Sequence, residues 1–126
     1  MISADDLVAT VRAYHSGADA GLIRRAYEFS RAVHRGQKRQ SGDPYFVHPV
    51  GVAGVIAELK LDVASVVTGL LHDTVEDTLT TLDEIQRHFG EEIAGLVDGV
   101  TKLSQVNFTS REEKQAENFR KMILAM

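Results

Sequence analysis

An all-α fold follows from three features of this sequence. Only two prolines occur, Pro44 and Pro49, and both lie in one short stretch, so helix breakers are scarce elsewhere. Residues that cap helices repeatedly precede runs in which apolar side chains recur every three or four positions. No segment alternates apolar and polar residues convincingly, as a half-buried strand would. Together these predict a helical bundle of about six to seven helices.

The elements follow in order. Ser3 caps a short first helix with Asp5 and Asp6 in its first turn, ending near Tyr14, because acids are favoured at a helix start. Asp19 opens a stronger helix with Leu22, Ile23, Ala26, Phe29 and Val33 at helical spacing, and Gly36 closes it. Residues 37–47, QKRQSGDPYFV, read as a loop. A third helix starts at about His48 with Pro49 at its first position, where a missing N–H does no harm. It runs through Val52, Val55, Ile56 and Leu59. Asp62 caps a fourth helix that ends in Leu70-Leu71-His72-Asp73. It is apolar nearly all round, which marks a buried helix. Thr81-Leu82-Asp83-Glu84 is a capping box for a short helix ending at Phe89-Gly90. Another helix covers about 91–103, with Ile93, Leu96, Val97 and Val100 inward. Ser110-Arg111-Glu112-Glu113 is a second capping box, launching a last helix still running at Met126.

Composition narrows the function. A chain of 126 residues, 44% hydrophobic and 25% charged, suits one ordinary globular domain. There is no cysteine, so disulfides and thiolate metal sites are excluded and any metal must be held by His, Asp and Glu. A net charge of −4 argues against a sequence-independent DNA or RNA binder. A small anionic ligand needs only a local basic cluster. Arg31, Arg35, Lys38 and Arg39 form one, with His34 among them and no acid nearby; the bland alternative is a set of helix-end charges facing water. The N-terminus has neither a basic leader nor a long apolar core, and the run from Val63 to Leu71 is too short to span a bilayer. The expectation is a cytoplasmic protein with no membrane partner.

The chemistry concentrates in His72-Asp73-Thr74-Val75-Glu76-Asp77. A His and an Asp at the end of a buried helix are costly to desolvate unless paired or bound to metal. If the helix continues, Glu76 lies under His72 and Asp77 under Asp73. Three carboxylates so close repel one another, and a cation relieves that; a solvated, acid-rich helix end is the alternative. His48 sits immediately before Pro49, on a backbone with little freedom, and is otherwise an ordinary helix-start histidine. With His72 and Asp73 it makes a set of two imidazoles and a carboxylate, which suits Mn, Fe, Co or Zn better than Ca or Mg.

Several segments together resemble one family. They are Gly36-Gln37-Lys38-Arg39-Gln40-Ser41-Gly42-Asp43-Pro44-Tyr45, His48-Pro49, residues Gly69 to Asp77, Val97 to Leu103, and Glu113 to Met122. In this order they resemble the hydrolase domain of the RelA/SpoT family, an HD-superfamily fold. The resemblance implies a stringent-response enzyme that removes the 3′-pyrophosphate from guanosine tetra- and pentaphosphate. It implies His48, His72 and Asp73 as ligands of manganese, and Glu76 and Asp77 as the pair that positions and activates water. It implies a nucleotide pocket at Arg39 and Ser41, with the arginine packing against guanine; Arg35, Lys38 and Arg39 are the charges available to neutralise substrate phosphates. Gln40 departs from the basic residue common there, which weakens one nucleotide contact. The intact His-Asp and Glu-Asp pairs resemble the hydrolysis-competent branch. The family's fourth metal ligand, an aspartate, lies on a helix beyond residue 126. The expectation is therefore the N-terminal part of a hydrolase domain, without synthetase or regulatory domains and impaired in activity. An exposed apolar face at Met122, Leu124 and Met126 would then favour self-association. Two other readings remain: an HD phosphohydrolase of another nucleotide, and a non-catalytic helical interaction module. His15 and His88 read as surface histidines, and His34 has no assigned role.

Overall fold

A computed structural model describes residues 1–104 of the chain. Within them lie α1 (Ala4–Tyr14), α2 (Ala20–Val33), α3 (Val47–Glu58), α4 (Val63–Leu71), α5 (Thr74–Asp77), α6 (Leu82–Phe89) and α7 (Glu91–Ser104). Extended pairing among the described residues is limited to one antiparallel bridge, Lys38 with Pro44. No helix among them is long and apolar enough to cross a membrane. The second capping box at Ser110, the last helix and its face at Met122, Leu124 and Met126 lie outside the described residues.

The caps work as their side chains dictate. Ser3 Oγ accepts from Asp6 N at 3.1 Å, Asp19 Oδ1 from Leu22 N at 3.0 Å, and Asp62 Oδ1 from Ser65 N at 2.9 Å. Thr81 Oγ1 accepts from Glu84 N at 3.2 Å. Each satisfies an N–H that the first helical turn leaves without a partner.

The molecule is arranged around α4. That helix packs on α2, α3 and α7, while α1 packs on α2 and α3, and α6 on α7. Val66, Val67, Leu70 and Leu71 have no exposed surface; each contributes roughly 1.5–3 kcal/mol by leaving water. Gly69 faces α3 at close range: a Cβ there would lie 2.8 Å from Ile56 Cδ1 and 3.4 Å from Ala53 Cα. A larger residue would first displace the Ile56 side chain on α3, the helix that carries His48.

Several details differ from the sequence reading. α3 begins at Val47, so Pro49 is its third residue, still within the first turn where its missing N–H goes unused. α4 stops at Leu71, and the chain turns through His72 and Asp73 before resuming as α5. The buried stripe of α2 is Ile23, Ala26, Tyr27 and Ser30, continuing to His34 just past its end; Leu22, Phe29 and Val33 are half-buried on its flank. Leu96, expected inward, is 42% exposed, and Leu59, the last apolar residue of the third-helix run, is 51% exposed. Leu59 sits just past the end of α3, where the chain turns outward. On α7 the stripe runs Ile93, Ala94, Val97 and Thr101, leaving Leu96 to one side.

The Asp62 cap gives a test with a sign. Hydrogen bonds from Ser65 hold its carboxyl below the usual range. Its contribution is therefore present above the ordinary carboxylate pKa and is lost as pH falls through the lowered folded value. Asp62→Ala costs about 1 kcal/mol in urea unfolding at pH 7, and the difference shrinks below about pH 4. An equal cost at pH 7 and pH 2.5 would contradict this account.

Candidate metal centre

The core helix α4 ends at the site. Gly69 lies in its last turn, where carbonyls lack helical partners, and the Gly69 oxygen is 2.6 Å from His72 Nδ1. A carbonyl only accepts, so Nδ1 must carry a hydrogen. In the neutral ring Nε2 is then bare, and it faces Asp73 Oδ2 at 3.0 Å. The first turn of α3 brings His48 Nε2 to 3.4 Å from the same oxygen. One ligand atom from each of His48, His72 and Asp73 can be chosen so that all lie within 4.8 Å of one another.

Electrostatics suit the arrangement. Burial lowers the pKa of His48, and His72 and Arg39 push it the same way against the pull of Asp73. Burial also opposes charge on His72, but the Asp73 carboxylate beside it turns the net shift upward. For Asp73, burial works to raise the pKa, yet His72, Tyr45 and His48 bring it below the usual range. A bare imidazole nitrogen facing a carboxylate oxygen is stable only with a proton or cation between them. The donor set of two imidazoles and one carboxylate fits a divalent transition metal, and the negative C-terminal end of α4 favours positive charge there.

The other predicted residues lie around this centre. Glu76 and Asp77 are exposed on α5, one turn beyond Asp73. The Asp77 N–H donates to the Asp73 carbonyl at 2.9 Å. With Gln37, Thr80 and Glu84 they line a cleft of about 640 Å³. Lys38, Arg39, Gln40 and Ser41 line a second cleft of about 500 Å³ with Tyr45. The loop is closed by Arg39 N donating to Asp43 O and Gly42 N to Arg39 O, both at 2.8 Å, and Gly42 takes φ +90°, a conformation costly for other residues. Ser41 Oγ donates to Asp43 Oδ2 at 3.0 Å. The basic cluster is looser than its sequence suggests. Arg31 Nε lies 3.5 Å from Glu28 Oε2, and His34 is buried beneath the loop. His15 and His88 are exposed, as read.

Sequence reasoning gave no role to Tyr45, Gln37 or His34. Tyr45 Oη lies 2.7 Å from Asp73 Oδ2 and 3.0 Å from Asp77 Oδ2, one phenolic hydrogen serving both. Burial, followed by these two carboxylates, raises the Tyr45 pKa strongly, so it stays a donor. Tyr45 precedes α3, in the turn before Val47, so helical spacing gave no signal for it; the contact with Asp73 and Asp77 comes from the loop's fold.

Comparison with known proteins decides the family. The HD-domain family model matches residues 26–126. The chain belongs to the HD-domain family. An HD domain implies a divalent metal, which the His48, His72 and Asp73 donors fit. It is 61% identical over 120 residues to a Myxococcus xanthus GTP pyrophosphokinase, covering 93% of this chain and 16% of that protein. It is 45% identical over 122 residues to a Vibrio cholerae guanosine-3′,5′-bis(diphosphate) 3′-pyrophosphohydrolase, covering 97% and 17%. It is 50% identical over 104 residues to the bifunctional (p)ppGpp synthase/hydrolase SpoT of Escherichia coli, covering 82% and 15%. The chain thus spans about one-sixth of the length of these relatives. Among solved structures, a metazoan ortholog of SpoT described as hydrolysing ppGpp superimposes with a TM-score of 0.64 at 28% identity. That match covers 79% of this chain and 58% of the other.

The HD-domain donors make a direct prediction. Asp73→Asn removes the anionic donor and lowers affinity for Mn²⁺ or Co²⁺ by more than about 10-fold in titration calorimetry. Because protons compete for His72 up to above its ordinary range, affinity also falls as the solution is acidified from pH 8 to pH 6. Unchanged affinity in the variant would exclude Asp73 as a ligand.

Proposed function

We propose that this chain is the N-terminal part of the hydrolase domain of a metal-dependent guanosine-3′,5′-bis(diphosphate) 3′-pyrophosphohydrolase. The observation that carries the reading is the meeting of His48, His72 and Asp73 beside the exposed Glu76-Asp77 pair. The resemblance of residues 36–45 and 69–77 to the RelA/SpoT hydrolases, and the pyrophosphohydrolase names of several relatives, support the same substrate. Mn²⁺ is the metal we favour, from the donor set and that resemblance. The reading puts the enzyme in the cytoplasm, with guanosine tetra- and pentaphosphate as its small-molecule partners.

The proposed mechanism assigns work to each residue. The divalent metal, when bound, supplies Lewis-acid polarisation of a phosphate oxygen and a water made more acidic. His48, His72 and Asp73 hold it. Glu76 takes a proton from the attacking water, and Asp77 holds that water in line with the phosphorus attached to the ribose 3′ oxygen. The new bond joins the water oxygen to that phosphorus. The bond from phosphorus to the 3′ oxygen breaks, the 3′ oxygen takes up a proton, and GDP and pyrophosphate leave. Arg39 packs against guanine, Ser41 contributes a polar contact to the nucleotide, and Lys38 offsets phosphate charge. Gln40, being uncharged, contributes less than a basic residue would. Hydrolysis suits this geometry better than the synthase activity some relatives also carry in their names, because an acid pair beside a metal site activates water.

Pyrophosphate release from guanosine tetraphosphate tests the reading. It is measured for the 126-residue chain and for a version extended along its natural sequence by about thirty residues, room for one or two more helices. Release requires added Mn²⁺, and Glu76→Gln lowers turnover on the order of 10²-fold or more while calorimetry still records metal binding. Undiminished turnover in that variant would remove Glu76 from the mechanism. Turnover without divalent metal would remove the metal.

A further inference from the structure

Asp77 lies on a single turn of helix, α5, without a side-chain N-cap. A four-residue helix is not stable by itself, so a carboxylate on it holds its aim only if other elements brace it. Three side chains around the end of α2 meet that need. Gln37 Nε2 donates to the Asp77 carbonyl oxygen at 2.7 Å. Tyr45 Oη lies between the Asp73 and Asp77 carboxylates. The Tyr45 N–H donates to the Gln37 carbonyl at 2.9 Å, so these two braces are themselves joined.

Behind both sits His34, 2% exposed. Its Nδ1 is 3.0 Å from Gln37 Oε1, and its ring lies 4.9 Å from the Tyr45 ring at 36°. The direction of this chain of hydrogen bonds follows from elementary chemistry. The Asp77 carbonyl can only accept, so the amide nitrogen of Gln37 must face it. The amide oxygen then faces His34, and Nδ1 must be the donor. Nε2 of the same ring is buried without a hydrogen-bond partner among the described residues. A buried polar atom left unsatisfied costs free energy, and a leucine or phenylalanine would avoid that cost. A histidine at this place therefore calls for a reason, and the donor at Nδ1 supplies one.

We propose that His34 is a positioning residue: through Gln37 and Tyr45 it fixes α5, and with it the Asp77 carboxylate, against the metal centre. The inference rests on the reading of Asp77 as the residue that orients the attacking water, but its physical part concerns the brace alone. His34 touches neither substrate nor metal. Its contribution is to remove the freedom of a short helical turn on which a reacting group is carried, where a misplacement of about 1 Å costs up to about 10²-fold in rate.

Two substitutions separate the donor from the ring. His34→Phe keeps the stacked ring and loses the Nδ1 hydrogen. His34→Asn keeps an amide N–H close to the Nδ1 position and loses the ring. Native-state hydrogen exchange is read by NMR at the amides of Asp77 and Thr78, which bond to the Asp73 and Thr74 carbonyls at 2.9 and 3.2 Å. In metal-free protein, His34→Phe speeds exchange at both by about 10-fold or more, with amides of α1 and α6 unchanged, and His34→Asn restores the protection. Gln37→Met reproduces the His34→Phe pattern, so the inference stands on a second variant if the first folds poorly. In turnover of guanosine tetraphosphate, His34→Phe lowers kcat by about 10- to 100-fold with KM unchanged, and His34→Asn recovers most of it. Exchange at α5 that matches wild type in both His34→Phe and Gln37→Met overturns the brace. A loss of protection spread evenly over all helices overturns it as well, by making His34 a general packing residue. If the wild-type version extended by about thirty residues turns over no guanosine tetraphosphate, the functional reading fails, while the exchange pattern still decides the role of His34.

Discussion

Asp73 Oδ2 is approached by three polar atoms from three parts of the chain: His72 Nε2 at 3.0 Å, His48 Nε2 at 3.4 Å and Tyr45 Oη at 2.7 Å. Only the phenol is bound to bring a hydrogen, because His72 spends its Nδ1 hydrogen on Gly69. The remaining imbalance of electron-rich atoms in a mostly buried place is what the surrounding helices are built to sustain. α4 delivers His72 and Asp73 because its C-terminal part, Val66 to Leu71, is buried throughout, so that its end is fixed by core packing. α3 delivers His48 by packing closely against Gly69. An unpaired carboxylate in such a place would be costly; a divalent cation turns the same atoms into a stable set.

Much of this was readable in the sequence, for identifiable reasons. The caps at Ser3, Asp19, Asp62 and Thr81 are local chemistry, and each forms as its sequence suggests. The burial of α4 from Val66 to Leu71 follows from composition, since the helix is apolar nearly all round. The need of His72 and Asp73 for a partner was legible because buried polar residues at the end of an apolar helix demand one. The choice of His48 as that partner rested on its donor chemistry and on the family resemblance. What stayed hidden depends on tertiary contacts. The turn at His72–Asp73 has no glycine or proline to announce it. Leu96 is apolar and suitably spaced, yet the stripe that packs is Ile93, Ala94 and Val97. His34 had no assigned role in the sequence, standing amid Arg31, Arg35, Lys38 and Arg39, while the fold places it under the loop against Tyr45.

The clefts on either side of Tyr45 differ in sign. One presents Lys38 and Arg39; the other presents Glu76, Asp77 and Glu84. Under the proposed function, the first cleft would attract the phosphates of a nucleotide and the second would repel them unless a cation lay between, so a bound metal would serve binding as well as chemistry. Tyr45 lines the first and hydrogen-bonds to Asp77, which lines the second, as well as to Asp73. The family match from residue 26 onward takes in the later part of α2, the loop, α3 and the α4–α5 turn, elements that contribute to both clefts and the metal centre.

The central claim is that His48, His72 and Asp73 form one divalent-metal site. Anomalous diffraction from crystals soaked in Mn²⁺ tests it most directly. The account predicts a single strong peak about 2.0–2.3 Å from His48 Nε2, His72 Nε2 and a carboxylate oxygen of Asp73. A peak that forms elsewhere with these three side chains unmoved, or no peak at saturating Mn²⁺, would contradict it.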